Sequence, residues 1–112
     1  MKRIRWDIEE VVAIIDIYFR TSAGEIENLN AELLKLSQAL NVRADCLHIK
    51  HDDKFRNLNG MQCIFENIRY VVTDGDVGLS NANKLHYTVV DIYYNEREKF
   101  YSILKEFWQK YS

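Results

Sequence analysis

The stretch HDDKFRNLNGMQCIFENIRYVV, His51 to Val72, decides the fold. At about 100° per residue, Leu58, Met61, Ile64, Phe65, Ile68, Val71 and Val72 fall on one side of a helical wheel. Asn59, Gln62, Cys63, Glu66, Arg69 and Tyr70 fall on the other. The pattern predicts a two-faced helix over 57–73, capped at its start by Asn57 or Asn59.

Upstream, Ile26, Leu29, Leu33, Leu36 and Leu40 recur at spacings of three and four, predicting an amphipathic helix over 25–40 that Glu25 opens after a break at Gly24. The apolar pattern lapses between Asn41 and Phe55. The first helix, over 7–22, takes Asp7 as N-cap with Glu9 and Glu10 in its first turn, where carboxylates suit the positive end of the helix dipole. Val11, Val12, Ile14, Ile15, Tyr18 and Phe19 make it apolar on so many sides that it is expected at the centre of the core.

Downstream, TDGDVGLSNANK (73–84) is a turn cluster in which Gly75 and Gly78 can take positive φ and Ser80 or Asn81 can cap the next helix. Helices are expected over 82–94 and, with Asn95 as N-cap, over 96–111, the last burying Phe100, Ile103, Leu104, Phe107 and Trp108. Proline is absent from all 112 residues, consistent with helices joined by short loops. The expected fold is all-α, a compact single-domain bundle of about five helices.

Composition bounds the function. A hydrophobic content of 47% supplies enough apolar surface for one core, and a net charge of −2 excludes a generally basic coat. Any phosphate contact must therefore come from a local patch. No apolar run approaches the ~18 residues of a membrane span, and the basic start runs straight into Trp6 and Asp7, so a cytoplasmic protein without a membrane partner is expected. In that compartment the two cysteines read as free thiols.

Cys46, His48, His51 and Cys63 are zinc-capable, but their C-x-H-x-x-H spacing with a distant cysteine matches neither a C-x-x-C knuckle nor a helical H-x₃₋₅-H pair, so no metal or other cofactor is expected. Asp74 and Asp76 lack the further carboxylates of a calcium loop. No motif joins a nucleophile to a base, and pairs such as Glu9 with Glu10 point about 100° apart on a helix. The chain is read as a non-enzyme.

The remaining chemistry lies on the polar side of the third helix and its lead-in. Arg, Asn and Gln side chains can bond base edges, and a helix N-terminus is a natural phosphate seat. Lys54, Arg56, Asn57, Asn59, Gln62 and Arg69, helped by Lys2, Arg3 and Arg5, are the candidate nucleic-acid contacts. The structural alternative makes Asn57 or Asn59 a cap and pairs Arg56 with a nearby carboxylate.

Five short motifs occur in order: W-x₃-E at Trp6 to Glu10, IDIYF at Ile15 to Phe19, LLKLSQAL at Leu33 to Leu40, KFRNLNGM at Lys54 to Met61 and GLS at Gly78 to Ser80. Their order and spacing resemble the helical module at the N-terminus of many prokaryotic HNH endonucleases of the modification-dependent restriction type and of other predicted defence proteins. The resemblance covers about Trp6 to Tyr94, and the module's most distinctive motif falls on Arg56, Asn57, Asn59 and Gly60. No HNH, helicase or methyltransferase motif is present, so the family's nuclease chemistry does not carry over. The resemblance implies a recognition module for duplex DNA that works beside an effector protein or subunit. An alternative of a different class is a protein-interaction or self-association domain using Tyr93, Tyr94, Tyr101, Trp108 and Tyr111.

Overall fold

The computed structural model describes residues 4–112, and Lys2 and Arg3 of the candidate contacts lie outside them. The described residues form five α-helices and no strand: α1 (Ile8–Ser22), α2 (Leu29–Cys46), α3 (Leu58–Val72), α4 (Lys84–Asn95) and α5 (Arg97–Tyr111). The bundle expected from the apolar spacing is the bundle observed.

Helix α1 packs against all four others, which explains why its sequence is apolar on every side. Every residue from Glu10 to Tyr18 is buried. Around it, Leu33, Leu36, Met61, Ile68, Val89, Phe100 and Phe107 are each fully buried, at roughly 1.5–3 kcal/mol for each large apolar side chain removed from water. Asp7 is the N-cap of α1 and closes a reciprocal capping box with Glu10.

Boundaries of α2, α4 and α5 differ from the sequence reading. Helix α2 begins at Leu29, because Asn28 caps it by accepting the Ala31 N–H, while Ile26 packs on the core from the preceding segment. It also continues past Leu40 to Cys46, since Arg43 occupies a core position and is buried by ion pairing that hydrophobic spacing cannot register. Helix α4 opens at Lys84, capped by Asn83 and not by Ser80 or Asn81, and runs through Asn95, whose amide donates to Asp91 at 2.7 Å. Asn95 is therefore not the cap of α5, which starts from Glu96 without a side-chain cap.

The 73–84 turn folds back on α3. Leu79 N–H donates to the Glu66 carbonyl at 3.1 Å, and Gly78 sits at φ +101° with its α-carbon pressed to the α3 backbone. A Cβ there would stand 2.4 Å from the Glu66 carbonyl oxygen, so only glycine fits. This contact carries Leu79 and Asn81 to the lip of a groove between α3, the entry to α4 and the N-terminal segment.

Candidate functional site

Three of the five motifs, those of Trp6 to Glu10, Leu33 to Leu40 and Lys54 to Met61, meet in one place. Arg56 lies in the left-handed region at φ 49°, a conformation that costs an arginine on the order of 1 kcal/mol or more unless its surroundings hold it. They do so from two helices and the N-terminal segment. Ser37 Oγ of α2 donates to the Arg56 carbonyl, and Asn41 of the same helix donates to the Phe55 carbonyl at 3.1 Å. The Arg56 guanidinium forms a two-pronged pair with Glu10 of α1, at 2.8 Å from Nε and 3.1 Å from Nη2. It also donates to the carbonyls of Ile4 and Arg5 at 3.3 and 3.2 Å.

The faces of that guanidinium are covered as well, with the Trp6 ring centroid 4.5 Å away and that of Phe55 4.4 Å away. The Arg56 side chain is 8% exposed and its donors are spent inside the protein. Arg43 of α2 completes the cluster, bonded to Asp7, 3.3 Å from Glu9 and 4.0 Å from Glu10. Burial works against its charge, but Asp7, Glu10 and Glu9 outweigh burial and hold the guanidinium above its ordinary pKa.

The other candidates divide. Asn57 is the N-cap of α3, its side-chain carbonyl oxygen accepting the Gly60 N–H at 2.9 Å. Gln62 donates to Asn30 at 3.0 Å, and Arg69 pairs with Glu66 at 3.3 Å. Asn59, Lys54 and Arg5 are exposed. The outer face of α3 accordingly keeps little uncommitted positive charge.

A groove of about 1260 Å³ opens beside the Arg56 clasp, larger than most small-molecule pockets and open to solvent. One wall is the segment from Ile4 to Trp6 with the loop from His51 to Asn57. The other is built by Gly60 and Cys63 of α3 and by Leu79 to Leu85 at the entry to α4, with the buried lining residues Asn67 and His86 as the floor. Two helix N-termini therefore border it.

These two helices differ from the rest in a way that bears on charge. Helices α1, α2 and α5 carry Glu9 and Glu10, Glu32 and Glu98 in their first turns, whereas α3 and α4 carry no acid there. The positive ends of α3 and α4 are left without a local carboxylate. Arg5, Lys54 and Lys84 also line the groove, and none takes part in an ion pair among the described residues. Among the described lining residues Asp52 is the one carboxylate, and its side chain accepts the Lys54 N–H at 2.9 Å.

The floor holds two buried polar groups that sequence reading passed over. His86 is 1% exposed; its Nδ1 accepts the Asn83 N–H at 3.3 Å, which leaves the ring proton on Nε2, and among the described residues that donor has no partner. Burial lowers its pKa and keeps the ring neutral. Asn67, 6% exposed, has a side-chain carbonyl that is likewise unpartnered among them. On the wheel Asn67 falls at the border between the apolar and polar sides, midway between Val71 and Cys63, so periodicity gave no signal for its burial.

The zinc-capable residues do not converge. His51 Nε2 bonds Asp45 at 2.8 Å, Cys63 faces the groove, and among the described residues no three His, Cys, Asp or Glu side chains come together as a metal site. Among the same residues no helix is long and apolar enough to cross a membrane. Compared with known protein families, with curated proteins and with solved structures, the chain finds no match in any of the three, and the resemblance to the HNH-associated module stands on the motif residues alone.

Proposed function

We propose that the chain is a non-catalytic recognition module that binds nucleic acid by its phosphates, seated across the groove between the Arg56 loop and the entry to α4. The observation that carries this reading is the pairing of two helix N-termini without first-turn acids with three cations unpaired among the described residues, all on one groove of a protein whose net charge is −2. As the motif resemblance implies, such a module would serve an effector of a prokaryotic restriction or antiviral system. The reading shifts the duplex-DNA contact expected from sequence off the outer face of α3, where Arg69 and Gln62 are engaged, and onto Arg5, Lys54 and Lys84.

The test is fluorescence anisotropy with labelled duplex and single-stranded oligonucleotides across a salt series. With about three phosphates neutralised, log affinity should fall against log salt with a slope of about −2 to −3. The triple change Arg5→Glu, Lys54→Glu, Lys84→Glu should abolish binding while leaving the fold intact. Absence of binding at low salt to either form would end this reading.

A second reading has its own observation. Tyr94 and Tyr101 are 55% and 44% exposed, and Tyr94 lies edge-on to the stacked Phe19 and Tyr93 rings, so an aromatic surface continues outward from the core. Such a surface suits a protein partner or a second copy of the chain. Light scattering over a concentration series tests self-association, which Tyr94→Ser should weaken.

A further inference from the structure

The groove's rim accounts for an anion, but its floor does not. A buried donor or acceptor without a partner costs roughly 1–3 kcal/mol, and native proteins keep such groups few. Here two occur on one floor, the His86 Nε2–H from α4 and the Asn67 carbonyl from α3. The third such atom among the described residues, Arg43 Nε, belongs to the ion-pair cluster and not to the groove. Ile64, Leu79 and Leu85 supply apolar surface beside the two polar groups.

From this arrangement we infer that the groove seats one unstacked nucleotide, with His86 and Asn67 hydrogen-bonding the edge of its base while the cationic rim and the two helix N-termini hold its phosphate. The inference rests on the nucleic-acid reading and narrows it. A base edge offers both acceptors and donors, the two kinds of partner that the His86 Nε2–H and the Asn67 carbonyl lack among the described residues, and the apolar side chains suit the ring faces. In a duplex those pairing edges are occupied and stacked. The ligand is therefore a single-stranded or extruded nucleotide.

The full chain, labelled with ¹⁵N, is titrated with the four nucleoside 5′-monophosphates, with inorganic phosphate and with a duplex oligonucleotide, each up to millimolar concentration. Two readouts report the floor and the wall: the resonances of the His86 ring and the Asn67 amide, and the rate of Cys63 alkylation, followed by peptide mapping to separate it from the exposed Cys46. The expected result is a preference of about tenfold for one base over the others, with both floor resonances shifted and Cys63 protected.

Asn67→Leu supplies the discriminating variant. It replaces an unpartnered buried amide with an apolar side chain of the same branching, so the protein should fold, keep its affinity for inorganic phosphate and lose the base preference. Equal binding of inorganic phosphate and all four mononucleotides would overturn the base-reading inference and leave phosphate recognition standing. Binding of the duplex alone would do the same, and binding of none of the ligands would remove both. Retention of the base preference in Asn67→Leu would also overturn it.

Discussion

Replacing Arg56 by alanine tests the central structural claim, that this residue is a tie and not a reader. The change removes both bonds to Glu10, two bonds to the Ile4 and Arg5 carbonyls, and the cation between the Trp6 and Phe55 rings. Glu10 is 2% exposed and would keep the Asp7 N–H at 3.1 Å and, as its one remaining charged partner, Arg43 at 4.0 Å. Breaking a buried ion pair by removing one member typically costs about 3–5 kcal/mol, because the other charge stays buried. The contacts Glu10 keeps with Asp7 N–H and Arg43 pull toward the lower end, so about 3 kcal/mol is expected. A domain of this size has some 5–15 kcal/mol in total, so urea unfolding should register a large fall in midpoint. A double-mutant cycle with Glu10→Gln should return a coupling of roughly 1–3 kcal/mol. A loss below ~1 kcal/mol, together with abolished binding to nucleic acid, would refute the assignment and return Arg56 to the ligand.

Two further outcomes are expected. Gly78→Ala should destabilise the fold by at least ~1 kcal/mol, read as a lowered melting temperature, since the new Cβ meets the Glu66 carbonyl at 2.4 Å in a backbone conformation that L side chains rarely adopt. The hydrogen bond from His51 to Asp45, with that to the Asp52 carbonyl, raises the imidazole pKa above its ordinary value of 6.5. Its contribution to stability is therefore complete below the unfolded pKa and is lost as pH rises through the higher folded value. Urea midpoints should fall across that interval in the native chain and lose this component in Asp45→Asn.

The legible part of this fold was the part written in apolar spacing. Asp7, Glu9 and Glu10 announced the start of α1, and the Leu58 to Val72 wheel placed α3 with its cap on one of two asparagines. The end of α2 was missed because Arg43 is a core residue made so by Asp7 and Glu9, more than thirty positions away in sequence. Arg56 carried the same ambiguity: its type and neighbours suited a phosphate, and only folding reveals that its partner is Glu10, 46 residues earlier. The groove was illegible for a related reason, since its walls come from three separated segments and its floor from side chains that look like ordinary interruptions of an amphipathic pattern. Lys54 and Arg5 were found as residue types, while Lys84, His86 and Asn67 needed the packing of α3 on α4 to stand together.

The bare N-termini of α3 and α4 set a direction for anyone reshaping this protein. A thermostability screen would favour Asp or Glu in those first turns, at positions such as Asn59 and Lys84, because each acid there adds about 0.3–1 kcal/mol. The same substitutions would add negative charge at the groove mouth. Hardening the scaffold and preserving the proposed affinity for anions thus pull on the same few residues in opposite directions, and variants chosen for heat resistance alone would drift toward a well-folded protein with a less cationic groove.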